Sequence, residues 1–151
     1  MSIFNSINSS GSALTAQRLR MDVISSNIAN AETTRARLNE NDEFEPYRRK
    51  TVRFQENGQS FSTQLSRVKS NQANMSKGVK VTAIVEDDEP FTLVYNPSHP
   101  DAGDDGYVQM PNVDPLQEMV DLMSATRSYE ANITALNASQ SMLTKTLEIG
   151  R

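Results

Sequence analysis

Residues 114–148, DPLQEMVDLMSATRSYEANITALNASQSMLTKTLE, decide the fold. Within them Met119, Leu122, Thr126, Tyr129, Ile133, Leu136, Gln140, Leu143 and Leu147 alternate by three and four, and only Thr126 and Gln140 are polar. That spacing marks one face of a helix and the buried seam of a coiled coil or bundle. Asp114 is placed to cap the helix, Pro115 suits its first turn, and Gln117 stands three residues after the cap. Gly150 is a natural stop. At about 1.5 Å per residue, roughly 35 residues make a rod about 50 Å long, more than a small globular domain requires.

A second stripe lies at the other end. Ile7, Leu14, Met21 and Ile28 recur every seventh residue, with Ile3, Ile24 and Ala31 on the neighbouring seam. The pattern predicts a helix over residues 3–32, ended at Thr33 and Thr34. Alone it is a poor helix, because Ser, Asn and Thr compete for backbone hydrogen bonds and Gly11 costs about 1 kcal/mol relative to Ala. Its stability must come from packing, and it is long enough to lie antiparallel along much of the second helix. From periodicity alone, the two stripes fit the core of a helical hairpin as well as packing between subunits. The remaining faces are Ser, Asn, Ala and Thr with few charges, whereas a solitary hairpin carries a charged solvent side. Small residues such as Ala125, Ser128, Ala131, Ala135, Ala138 and Ser139 admit close neighbours. Both features favour assembly on more than one face.

Charge divides the chain into three parts. Residues 35–112 hold 22 of the 34 charged side chains, ten basic and twelve acidic. The expected organisation is therefore an N-terminal helix (1–34), a β-containing middle with loops (35–112) and a long C-terminal helix (113–151). The fold class is mainly α, with an antiparallel coiled-coil-like hairpin of terminal helices and a small β-containing middle. In that middle, Tyr47–Phe54 reads as a strand between Pro46 and the Asn57-Gly58 turn. Val79, Val81, Ala83 and Val85 alternate with Lys80, Thr82, Ile84 and Glu86, as in a half-buried strand. Glu86–Pro90 reads as an acidic turn leading to a return strand, Phe91–Tyr95, which together predict a β-hairpin. Asn96–Pro111 reads as a loop, and residues 57–78, rich in Ser, Gln and Asn, as a mobile one.

Composition removes several classes of function. A net charge of −4 argues against nucleic acid as the main partner. Without cysteine there is no disulfide, thiol nucleophile or thiolate metal site. No apolar run approaches the roughly 20 residues of a membrane span, and the N-terminus lacks the pattern of a secretory signal, so export would need a route without signal cleavage. His99 is the single histidine and has no metal-ligand neighbours in sequence. No nucleophile elbow, phosphate loop or dinucleotide fingerprint is present. Asp101, Asp104 and Asp105 with Gly106 suggest a calcium loop, but Gly103 and Asn112 occupy the third and twelfth positions, and a turn fits better. The expectation is a non-enzymatic chain with no catalytic residue, metal or cofactor.

The cluster Tyr47-Arg48-Arg49-Lys50 fits a solvated strand edge or a docking patch for acidic neighbours, with Glu86-Asp87-Asp88-Glu89 as the obvious opposite charge. Strand alternation would send Arg49 to the face opposite Arg48 and Lys50. Arg127 and Glu130, three apart on the second helix, are expected to pair locally.

The stretch SALTAQRLRMDVISSNIANAETT, residues 12–34, resembles the N-terminal motif of the axial proteins of the bacterial flagellum, the rod and hook family. Leu14, Ala16, Met21, Asn27, Ile28, Ala29, Asn30 and Thr33 fall on its characteristic positions. The usual continuation, a Gly followed by an aromatic, is replaced by Arg35 and Ala36, a departure that weakens a distal-rod or hook assignment. Three further segments are similar to a proximal-rod member: Pro46–Lys50; Asn96–Ala102 with Gly106–Val108 and Pro111–Val113; and Glu118–Val120 with Ala125–Asn132. The resemblance implies a structural subunit of the periplasmic drive shaft, which transmits motor torque and forms part of the export channel. It implies export by the flagellar type III apparatus without signal cleavage, and terminal helices lining an inner tube while the middle faces outward. The implied partners are other rod subunits, further copies of the chain, the adaptor joining rod to export gate, and the export apparatus. The implied assembly interface comprises Ile7, Leu14, Met21, Asn27, Ile28, Asn30, Met119, Leu122, Tyr129, Ile133, Leu136, Leu143 and Leu147, with Arg48, Arg49 and Lys50 as a possible subunit contact. A reading from a different class is a cytoplasmic helical adaptor or secretion chaperone, distinguished by binding one client rather than forming a tube.

Overall fold

The structure, a computed structural model, describes residues 3–39, 42–57, 65 and 78–149. The expected loop over 57–78 and the Gly150 stop lie outside these residues, apart from Asn57, Leu65 and Gly78. The fold is mainly α: two long terminal helices, α1 (Ile3–Ala29) and α2 (Pro115–Ile149), pack together. Between them in sequence lie β1 (Arg37–Leu38), β2 (Phe44–Glu45), β3 (Lys50–Glu56), β4 (Val79–Glu86), β5 (Thr92–Tyr95) and β6 (Tyr107–Met110). The strands pair as three two-stranded ladders, β1 with β2, β3 with β4 and β5 with β6.

The start of α2 follows its sequence. The Asp114 carboxylate accepts the N–H of Leu116 at 2.9 Å, and Pro115 occupies the first helical position, where no donor is needed. α1 ends earlier than residue 32. The Asn30 N–H is shared between the carbonyls of Ser26 and Asn27, and the Ala31 N–H reaches Ile28, which tightens the chain out of the α-helix.

The chain forms two compact units. One gathers Met1–Leu19, Arg53–Ala83 and Ala125–Arg151; the other gathers Arg20–Val52 and Ile84–Ser124. In the first, Ala16, Ala125 and Ser139 are buried. The Ser12 hydroxyl accepts the Val79 N–H at 3.1 Å, which joins the start of β4 to α1. Gly78 makes this approach possible: its φ is 95°, and a Cβ there would strike the Ser12 side chain. Asn57 N–H bonds the Gly78 carbonyl, and Thr82 bonds the carbonyl of Arg53, so the strands run antiparallel here.

In the second unit Val23, Ile24, Asn27, Tyr47, Val108 and Glu118 are buried. The expected hairpin between 79–86 and 91–95 does not form. β4 pairs with β3, whereas β5 pairs antiparallel with β6 in the register Thr92↔Met110 to Tyr95↔Tyr107. The acidic turn cannot fold back because it is tied elsewhere. Asp87 N–H bonds the Arg49 carbonyl, and the Asn112 amide bonds the carbonyls of Asp87 and Glu89. The stretch read as an unbroken loop, 96–111, therefore contains β6, and the Asn96 N–H closes the hairpin on the Gly106 carbonyl. The strand expected from Tyr47 begins at Lys50, because Tyr47 and Arg49 give their N–H groups to the Thr33 carbonyl and the Asn112 side chain.

The burial of the helices differs from the apolar pattern. On α2, Leu122, Tyr129, Leu136 and Leu143 are half-buried, and the row alternating with them is Glu118, Ala125, Asn132 and Ser139. That row lies one residue before Met119, Thr126, Ile133 and Gln140; Met119, Ile133, Gln140 and the later Leu147 are exposed. Small side chains at Ala125 and Ser139 let backbones approach closely. On α1, Ile7, Leu14, Met21 and Ile28 are half-buried, while Ala16, Val23, Ile24 and Asn27 are fully covered.

Candidate functional site

Asn27 is the polar hub of the second unit, with only 1% of its surface exposed. Its amide nitrogen donates to the Lys50 carbonyl at 2.8 Å and to Glu118 Oε2 at 3.0 Å. Its amide oxygen accepts the Lys50 N–H and the Tyr47 hydroxyl, both at 3.0 Å. Both donors and both lone pairs are thereby used. Against Lys50 the side chain acts as a strand's peptide group would, taking carbonyl and N–H together, and so fixes where β3 begins.

Glu118 is equally buried at 1%. Asn27 holds one oxygen, and Arg49 Nε donates to the other at 2.6 Å. Arg49 also reaches Asp87 at 3.3 Å and Asp121 at 3.6 Å, and Asp121 meets Arg20 at 3.2 Å. Burial works against the charge on Arg49, but the carboxylates of Glu118 and Asp87 more than offset it and raise its pKa above the ordinary value. Antiparallel α1 and α2, the start of β3 and the acidic turn are thus tied to one guanidinium and one amide.

Substituting Asn27 by Ala should destabilise the protein by about 3 kcal/mol, since four partners lose a bond worth roughly 1 kcal/mol each and some regain water. Urea unfolding followed by the tyrosine near-UV signal measures this. Asn27→Asp should recover stability as pH falls, because protonation restores a donor and removes the repulsion from Glu118. An Ala variant with the parent's midpoint would show that Asn27 is not the hub.

A second knot lies beyond the end of α1. Asp101 accepts from Thr34 Oγ1 at 2.8 Å and from Arg35 Nε at 2.6 Å, so this residue of the suspected calcium loop is taken by protein donors. Hydrogen bonds from Arg35 and then Thr34 hold the Asp101 carboxyl below its ordinary range. Arg37 binds Glu45 at 2.7 Å and Glu86 at 3.3 Å. No group of three or more potential ligands that could hold a metal occurs among the described residues.

The basic cluster divides, although Arg48 and Arg49 precede β3 and strand alternation does not apply to them. Arg49 turns toward Glu118, whereas the guanidinium of Arg48 lies 4.4 Å from the centre of the Phe91 ring and the Lys50 ammonium 5.5 Å from that of Tyr47. Arg48 and Lys50 line a cleft with Asn30, Arg35, Arg37 and Glu86. Asn30, carried over from the family motif, bonds the Ser26 carbonyl at 2.8 Å and accepts from Thr33 at the end of α1. Arg127 and Glu130 make no ion pair with each other, contrary to the expected local pair. Asn112 and Glu118 were not among the expected site residues. No periodicity reveals a buried polar group; the available signal was Glu118 standing within an apolar helix turn.

Large apolar side chains stay uncovered. In the second unit Leu116, Met119, Val120 and Met123 form a stripe along the first two turns of α2, with Leu116 72% exposed. In the first unit Ile133, Met142, Leu147 and Ile149 are exposed, Leu147 by 75%. Helical geometry puts Ile133 and Leu147 on one side of α2 and Met142 and Ile149 on the other; the Leu116–Met123 stripe is a contiguous apolar surface of the kind that marks an interaction site. No described helix is long and apolar enough to cross a membrane.

Two family profiles match the chain: "Flagella basal body rod protein" over residues 7–37, and "Flagellar basal body rod FlgEFG protein C-terminal" over residues 104–149. Among curated proteins, the flagellar basal-body rod protein FlgC of Bacillus subtilis is 60% identical over the full length of both chains. The proteins of the same name from Borreliella burgdorferi, at 43% over 99% of this chain and 98% of its own, and Salmonella typhimurium, at 42% over both full lengths, are also similar.

Proposed function

Because the chain belongs to the family of the flagellar basal-body rod protein FlgC, a non-enzymatic structural component of the rod, we propose that it works by polymerising through its terminal helices. The observation that carries this reading is the row of exposed apolar residues on α2, Met119, Ile133 and Leu147, at the spacing of a second helical seam. The buried face of α2 serves the subunit; the exposed row serves its neighbours. In this reading Ile7, Leu14, Met21, Ile28, Leu122, Tyr129, Leu136 and Leu143, half-buried in the single chain, complete the interface from both helices. The terminal helices form the inner wall of the tube and the strands its outer layer. The partners are further copies, other rod subunits, the adaptor at the export gate and, during secretion, the export apparatus.

Arg48 and Lys50 form an outer contact in this scheme, while Arg49 belongs to the subunit's own fold. Tagged protein should be recovered in purified basal bodies and absent from the soluble periplasmic pool of motile cells. Recovery only in a bounded one-to-one complex with a single cytoplasmic client would favour the adaptor or chaperone reading instead.

A further inference from the structure

The second unit carries two unspent sets of charge. Arg48 and Lys50 form no ion pair among the described residues, yet each is steadied on an aromatic ring. Their cleft encloses about 420 Å³, and four cations line it against the single carboxylate of Glu86. The opposite set is the acidic turn. Glu86 is bound to Arg37 and Asp87 to Arg49, which leaves Asp88 and Glu89 exposed and outside any described ion pair.

That turn is rigid. Asn112 donates to the carbonyls on either side of Asp88, and the Asp87 carboxylate accepts the Glu89 N–H at 3.3 Å. Such bonds order an exposed loop before any partner arrives and so reduce the entropy lost on binding.

We propose that the Arg48–Lys50 cleft receives the Asp88–Glu89 turn of a second copy of the chain, an inference that rests on the rod reading above. The cleft supplies two cations steadied on rings and the turn two exposed carboxylates on a hydrogen-bonded backbone, and arginine can bind a carboxylate with paired hydrogen bonds. Cleft and turn are unlike patches, so wherever the contact does not close reciprocally on a single pair, each end copy keeps one free cleft or one free turn and the contact can propagate head to tail. Exposed charge pairs add little affinity. Their part is to orient copies already drawn together by the helices.

The natural chain contains no cysteine, so introduced thiols report one contact. Two differently tagged copies, one with Lys50→Cys and one with Asp88→Cys, are expressed together in cells lacking the native copy, and purified basal bodies are oxidised. A disulfide-linked dimer carrying both tags is expected, well above the yield from a control pair of Lys50→Cys and Asp104→Cys. Tagged copies present in basal bodies without that dimer overturn the inference and leave the rod reading intact. So does a disulfide found only within one chain when both cysteines are placed on it. Absence of even the tagged parent from basal bodies would count against the rod reading itself. In parallel, Arg48→Glu with Lys50→Glu, and Asp88→Lys with Glu89→Lys, should each reduce swimming by about tenfold or more, and a chain carrying all four should regain it. Swimming like the parent in both reversed pairs likewise overturns the proposal.

Discussion

Arg49→Glu should cost the protein about 4 kcal/mol or more of folding stability, enough to leave many marginal domains unfolded. The substitution removes the only cation that touches Glu118 among the described residues and puts a fourth carboxylate beside Glu118, Asp87 and Asp121. Glu118 has no access to water, so its charge would be left with the Asn27 amide alone. Arg49→Met, which removes the charge without reversing it, should cost less, because the shorter side chain leaves room for water to reach Asp87 and Asp121. Arg48→Glu is the control one residue away. It loses a half-exposed ring contact worth about 0.5–1 kcal/mol and leaves the buried network intact. Chemical unfolding of the three variants reads the order directly. Equal midpoints for Arg48→Glu and Arg49→Glu would contradict the assignment of Arg49 to the fold.

This contrast also shows what the sequence disclosed. Although only Lys50 lies in β3, three consecutive cations in an extended segment are expected to alternate in direction, so two roles for the cluster follow from the pattern. Which face turns inward does not, because that depends on Glu118, 69 positions away. The start of α2 was legible because capping is local: Asp114 and Pro115 act on the backbone next to them. The partner of β4 was not, because Glu86–Pro90 resembles a hairpin turn until Asn112 and Arg49 bind it from distant parts of the chain. β6 is four residues long within a stretch of Gly, Asp and Pro, too short for alternation to stand out.

The helices offer the sharpest case. Apolar periodicity identified both of them and half of the α2 seam, Leu122, Tyr129, Leu136 and Leu143. The seam positions Met119, Thr126, Ile133 and Gln140 lie one residue after the buried row, and periodicity alone does not say whether such positions face the subunit's interior or a neighbour. Here the interior positions are Ala125 and Ser139, whose small size permits close approach, and Glu118, whose charge is matched. The hydrophobic row is left outside. A chain that folds alone gains nothing from that arrangement, whereas the polymer proposed above would cover the row.

Ile133→Asp and Leu147→Asp should therefore abolish rod assembly and swimming while changing the stability of the single subunit by less than about 1 kcal/mol. Both side chains are exposed, Ile133 by 37% and Leu147 by 75%, so an aspartate at either position remains hydrated in the free chain. In the polymer, the same carboxylate would be enclosed among apolar helices, where an unpaired charge costs several kcal/mol per contact. The penalty recurs at every copy, so even a modest cost per subunit stops growth of the tube. Leu136→Asp supplies the comparison. Leu136 is half-buried within its own chain, so this variant should lose subunit stability as well as assembly. Three measurements separate the effects: unfolding midpoints of the purified chains, their amounts in basal bodies, and swarm diameter. Ile133→Asp and Leu147→Asp variants present in basal bodies and swimming normally would show that the exposed row does not face a neighbour.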